Sequence, residues 1–368
     1  MALTSESMKA VPLTIEFPAD GNGGIITIKN SPKSGMWYSV NSRDKTLIEL
    51  TNYDIPVKAG DEISLYANGT GNKHYHPHDP HPYLNIRCSS DCYLYGNVMS
   101  LISRDEFETL TKAPICAFYG LFEGNVNIHN HSLKGIVLPA TTLVDNCYES
   151  MFRGCISLTQ APELPATTLD WNCYQSMFQG CTGLTQAPEL PATTLNLYCY
   201  QSMFQGCTGL TQAPKLPATT LDWNCYQSMF QGCTGLTQAP KLPATTLVDN
   251  CYESMFRGCI SLTQAPELPA TTLADNCYQS MFQGCISLTQ APELPATTLA
   301  ESCYESMFEG CTSLASITCL ASEPSYYYYT FKWVKDVSKT GTFIKEKDVD
   351  WETGVNGIPR GWEVIEVE

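Results

Sequence analysis

From Leu138 to about Ile317 the apolar and polar positions recur with a period of 26 residues, through seven copies. In the first copy Leu143, Cys147, Met151, Phe152 and Cys155 are spaced four, four, one and three apart. That spacing predicts a short helix with one apolar stripe, opened by Thr141 and Thr142 and stopped near Gly154. Leu158 to Leu164 then predicts a brief parallel-sheet strand. Pro162 and Pro165 have no amide donor, which confines ladder pairing to the positions around Thr159 and Gln160. A period of this length is the mark of a solenoid, in which each unit buries its apolar face only by stacking on its neighbours. The expectation is a right-handed α/β coil.

Residues 1–103 follow another rhythm. Period-two alternation in Leu13-Thr-Ile15-Glu-Phe17, Ile26-Thr-Ile28, Trp37 to Val40 and Ile63-Ser-Leu65, separated by DGNGG, NSPKSG and KAGDE, predicts short antiparallel strands, roughly eight of them, in a β-sandwich. Residues 104–137 read as a linker helix from Arg104 to Lys112 followed by a degenerate opening repeat. There Phe118 to Gly124 echoes CYESMFRGC, with Asn125 where the cysteine would be, and a link four residues longer than usual puts His129 and His131 in an insertion. After Ile317 and Cys319 the period is lost. Residues 318–368 read as a capping module whose Trp333, Trp351 and Trp362 cover the open end of the array. The fold class expected is thus β-rich and multidomain: an N-terminal antiparallel β-sandwich, a right-handed leucine-rich-repeat solenoid over residues 138–317, and a small C-terminal cap.

Composition narrows the function. The formal net charge is −16 and only 16% of residues are charged, so a nucleic-acid partner is not expected. No run approaches the roughly 18–20 apolar residues of a membrane span, and MALTSESMKAVPLTIEF offers neither a basic nor an apolar signal region. Neither membrane insertion nor export by the ordinary secretory route is expected. Of 18 cysteines, fourteen stand in two columns of seven, one from Cys147 to Cys303 and one from Cys155 to Cys311. An odd column cannot pair off internally, and eight residues of helix separate the two thiols of a repeat by about 12 Å, so free buried thiols are favoured over disulfides. No repeat has the C-x2-C spacing of a metal site.

The order APELPATTL, then CYxSMFxGCxSL, resembles the leucine-rich repeats of BspA-like surface proteins, in the wording common among gut Bacteroidales bacteria and the phages that infect them. YGNVMSLIS at Tyr95 to Ser103 and the ending with Trp351, Gly354, Asn356, Gly357, Ile358, Pro359, Gly361 and Trp362 resemble the modules that flank such repeats in phage-encoded relatives. The resemblance implies a phage virion-associated protein, a tail or head appendage made in the host cytoplasm. Residues 1–103 would bind other virion or surface proteins, and the solenoid would meet a host cell-surface glycan or protein. The alternatives are a bacterial cell-surface adhesin and a purely structural spacer. Homo-oligomers are compatible with all three.

Chemistry is concentrated in few places. HYHPHDPHP supplies His74, His76, His78, Asp79 and His81, whose alternating imidazoles suit a transition metal, while a solvent-exposed loop between strands explains the same prolines. Catalytic signatures are lacking, and carboxylates copied in every repeat offer no unique tuned pair, so no enzyme is expected. The positions that vary lie just before the first cysteine column: VDN, DWN, NLY, DWN, VDN, ADN and AES. A core position would not accept both Asp and Trp. Trp171, Leu197 and Trp223, with Tyr198 alongside, are therefore expected on the surface at a spacing of about 5 Å, fit for the apolar faces of sugars or for a protein. Tryptophans lying flat on the turn beneath, or drift after duplication, would give the same letters. Between the paired prolines, Glu163, Glu189, Lys215, Lys241, Glu267 and Glu293 change sign along the array, as charge matched to a partner or as plain solvated positions. The tyrosine column from Tyr148 to Tyr304 reads as structural.

Overall fold

The computed structural model describes residues 5–31, 35–68, 83–323 and 328–368. The chain divides into two compact units, Met1–Pro191 and Ala192–Glu368.

Unit 1 begins with eight strands: β1 (Thr14–Glu16), β2 (Gly24–Lys29), β3 (Met36–Val40), β4 (Lys45–Ile48), β5 (Asn52–Val57), β6 (Glu62–Ala67), β7 (Asn85–Cys88) and β8 (Cys92–Asn97). They form two antiparallel sheets, one in the order β8-β1-β6-β3-β4 and one in the order β5-β2-β7. Alternation sets the buried face: Ile26 and Ile28 on β2, and Ile63, Leu65 and Ala67 on β6, lose their contact with water. Two further strands, β9 (Ile128–Asn130) and β10 (Ile136–Val137), add to β8 in parallel and make the first sheet seven-stranded. Both come from the insertion that follows the degenerate repeat, so that segment belongs to the sheet. Lys134 fastens it there, donating to Glu16 at 3.0 Å, Glu62 at 2.9 Å and the Tyr95 hydroxyl at 3.0 Å. His131 Nδ1 accepts the N–H groups of Leu133 and Lys134, both at 3.0 Å, and burial holds its pKa below the ordinary value.

The linker helix expected over Arg104 to Lys112 is absent, replaced by turns. A helix that short is marginal alone. Its backbone is bound otherwise: Asn97 Nδ2 donates to the Phe107 carbonyl at 3.1 Å, and the Thr109 N–H donates three residues back, to the Glu106 carbonyl at 3.1 Å.

The helices expected inside the repeats are also absent; among the described residues the α-helix is Ser5–Met8. Each CYxSMFxGC segment is a run of turns in which backbone N–H groups divide their work. In unit 2, Cys225, Gln227, Met229, Gln231 and Cys233 donate three residues back, at 3.0–3.3 Å. The residues between them, Asn224, Tyr226, Ser228, Phe230 and Gly232, donate to carbonyls 25 residues ahead, on the next turn, at 2.8–3.2 Å. A helix would spend all its donors internally; this conformation turns half of them outward and knits successive turns together. The backbone reaches it through left-handed residues, for example Asn146, Tyr148 and Ser150 with φ between 54° and 61° in unit 1. Strand character in the LTQAPEL segments is limited to isolated bridges such as Gln160–Gln186 in unit 1 and Gln238–Gln264 in unit 2, except in the last of them, where Glu293–Leu294 form a two-residue strand.

Both units are cored by aromatic columns. Phe118 of the degenerate repeat stacks on Tyr148 at 5.4 Å and Phe122 on Phe152 at 5.6 Å. In unit 2, Tyr200 to Tyr304 stack at 5.8–6.1 Å between ring centres. The buried thiols take part: Cys181 Sγ donates to the Phe152 carbonyl and Cys233 Sγ to the Phe204 carbonyl, both at 3.0 Å. All 18 cysteines are free.

The period runs past Cys319. Ser306, Phe308 and Gly310 donate to the carbonyls of Phe331, Trp333 and Lys335, all at 2.8 Å, so a further turn follows, with Trp333 at the methionine position. β11 (Glu293–Leu294), β12 (Ser316–Cys319), β13 (Thr342–Glu346) and β14 (Glu363–Val367) complete unit 2 as a parallel sheet in that order. Ser316 and Thr342 pair across it one period apart. Trp333 stacks on Tyr304 at 6.2 Å and on Trp351 at 5.5 Å, and Trp362 is buried as well. Among the described residues no helix is long and apolar enough to cross a membrane.

Candidate functional site

The triplet before each first-column cysteine must solve a backbone problem: the N–H of its middle residue needs an acceptor. Two solutions occur. In Asp-Trp and Asn-Leu triplets the preceding side chain supplies it, with Asp170 Oδ1 accepting from Trp171 at 3.0 Å in unit 1, and Asn196 Oδ1 from Leu197 at 3.0 Å and Asp222 Oδ1 from Trp223 at 2.8 Å in unit 2. From Asp249 on, the aspartate of one turn serves the next, Asp249 Oδ1 accepting from Asp275 at 3.3 Å and Asp275 Oδ1 from Glu301 at 3.1 Å. The sequence carries this rule openly, since Asp or Asn precedes every apolar middle residue and Val or Ala precedes every acidic one. Asp170, Asn196 and Asp222 are the residues that reading the middle position alone misses.

Relieved of capping, the middle side chains stand in solvent. This holds for the two tryptophans, Trp171 at 51% exposed and Trp223 at 55%, whereas in the Asn-Leu-Tyr triplet the exposed ring is that of the third residue, Tyr198, at 39%. Leu197 is half-buried. Their backbones are held: the Asn146 N–H donates to the Trp171 carbonyl at 2.8 Å in unit 1, and the Tyr198 N–H to the Trp223 carbonyl at 3.0 Å in unit 2. Leu197, Tyr198 and Trp223 thus come together on neighbouring turns of unit 2, and Trp171 takes the same repeat position in unit 1. Tyr198 stands where other copies have Asn146, Asn172 or Asn224, at φ 58°. Asparagine accepts that left-handed backbone more readily than tyrosine, so an exposed aromatic is kept here at a local cost.

The histidine-rich candidate, His74, His76, His78, Asp79 and His81, lies outside the described residues. Among the described residues no group of three or more His, Cys, Asp or Glu side chains is placed to hold a metal ion. The carboxyl pushed furthest up is Glu149, raised to about 7 by burial, with Glu123 adding to the rise and a hydrogen bond from Tyr119 opposing it. Burial raises thiols of the repeats in the same way, Cys181 and Cys251 to about 12, which keeps these two protonated donors and poor nucleophiles.

A BspA type leucine-rich repeat region, six copies of the repeat, is matched over residues 128–237 and 200–338, more than half of the chain. No curated protein and no solved structure matches it. The matched span starts in β9 and ends beyond Lys335, in step with the turns that the hydrogen bonds join. The chain belongs to the BspA type leucine-rich repeat family.

Proposed function

We propose that this chain is a non-enzymatic recognition protein whose exposed aromatic patch contacts the surface of a bacterial host. The family makes a surface or binding protein the coarse reading. The finer one is a phage virion-associated appendage for gut Bacteroidales. In it the strands of residues 1–103, packed as a β-sandwich, attach to other virion proteins, and the repeats present Trp223, Tyr198 and Leu197, with Trp171 in unit 1, to a cell-surface glycan or protein. One observation carries it: Tyr198 and Trp223 are exposed on adjacent turns while hydrogen bonds fix their backbones, so flat apolar faces are offered with little ordering left to do. Synthesis in the infected cytoplasm suits thiols kept free.

Binding to Bacteroidales cell-surface glycans, measured for the wild type and for Tyr198→Ala with Trp223→Ala, tests the patch. A loss of about tenfold or more supports recognition. Unchanged binding removes the patch, and no binding by either protein favours the spacer. The family also supports a bacterial adhesin, and antibody labelling of purified virions against bacterial cells separates the two.

A further inference from the structure

Six of the seven repeats place one charged residue between two prolines. In unit 2 these are Lys215, Lys241, Glu267 and Glu293, all exposed. The ion pairs of unit 2 among the described residues belong to Lys335 and Lys345, so none of the four is engaged. Parallel bridges Gln238–Gln264 and Thr246–Thr272 fix the stacking on either side of the row. The charges therefore succeed one another at about the 5 Å spacing of stacked strands, in the order plus, plus, minus, minus.

That order is its own complement under a two-fold rotation. With the axis between Lys241 and Glu267, Lys215 meets Glu293 of a second copy and Lys241 meets Glu267, each pair occurring twice, as an isologous interface requires. The spacing matches automatically, because both strips are the same lattice. A partner of one sign would set half of the row against like charge; a second copy sets none. Beside the charges Pro217, Pro243, Pro269 and Pro295 are exposed or half-exposed. Their rings supply an apolar bed of fixed φ with no amide donor to desolvate. We propose that the chain self-associates through this strip as an antiparallel two-fold dimer, the four charges setting register and partner choice. The inference is independent of the aromatic patch.

Sedimentation velocity of the full chain tests it. The wild type is expected to dimerise at about 50 mM salt and to dissociate at about 500 mM, where screening shortens to a few ångströms. Lys215→Glu with Lys241→Glu, and Glu267→Lys with Glu293→Lys, are each expected to be monomeric. An equimolar mixture of the two should form a heterodimer. The fourfold variant, whose order is reversed but again self-complementary, should recover the homodimer and thereby show that the substitutions leave the fold intact. A wild type that stays monomeric at about 100 µM in low salt, or a double variant that dimerises like the wild type, overturns the proposal.

Discussion

Glu149 occupies a position that Gln175, Gln201, Gln227 and Gln279 fill in other repeats. Those glutamines can pass a hydrogen bond along the array, as Gln227 Nε2 does to Glu253 Oε2 at 2.6 Å. Glu149 instead buries a carboxylate near Glu123, which pushes its pKa from 4.5 up to about 7. A carboxyl raised in the folded state binds its proton more tightly than in the unfolded chain. It therefore costs stability above about pH 7, and the cost fades as pH falls towards 4.5. Glu149→Gln removes the charge, and is expected to stabilise the chain by about 1–3 kcal/mol at pH 8 and by almost nothing at about pH 4. Denaturant titrations of both proteins at the two pH values check this. The groups they share, His131 among them, cancel in the difference, and an equal gain at both pH values would refute the electrostatic cause.

At the scale of the element, the repeat was legible and its conformation was not. The period of 26, the inward-facing apolar letters and the brevity of the strand follow from composition and proline. The spacing of Cys147, Met151 and Cys155 fits a helix equally well as a run of turns burying two residues in every four. What decides is where the alternate N–H groups go: to the neighbouring turn, which a single repeat's letters do not contain. The triplet rule was legible in principle, because the acceptor for Trp171 or Trp223 lies one letter earlier. A consequence follows for the thiols. With Sγ–H groups donating to carbonyls one turn back and burial raising their pKa, native cysteines should resist alkylation at pH 8 until the turns separate. Cys116 is half-buried and should label first. Mass spectrometry of a labelling time course in native buffer reads the order, and rapid labelling of Cys181 or Cys233 would contradict the packing described.

At the scale of the whole molecule, an array of near-identical turns owes its stability to interfaces between neighbours, so its ends are the places where it opens. The Tyr and Phe columns of unit 2 end on Trp333, fully buried at their foot, 6.2 Å from Tyr304 and 6.1 Å from Phe308, with Nε1 donating to the Gly357 carbonyl at 2.9 Å. It substitutes one large ring for the methionine of earlier turns and lets Trp351 and Phe343 close over it, at 5.5 Å and 6.0 Å. Trp333→Ala removes that plug and orphans the Gly357 carbonyl, at a cost of about 3–5 kcal/mol. Because contacts are between neighbours, the loss should not be shared evenly. Hydrogen exchange is expected to quicken first at the N–H groups of Ser302, Tyr304, Ser306, Phe308 and Gly310, whose acceptors lie on the Trp333 turn. Those of Asn224 to Gly232, further up unit 2, should keep their wild-type protection. Uniform loss from Asn224 to Gly310 would instead mean that unit 2 unfolds as one cooperative body, its turns bound too tightly by lateral hydrogen bonds to fray one by one.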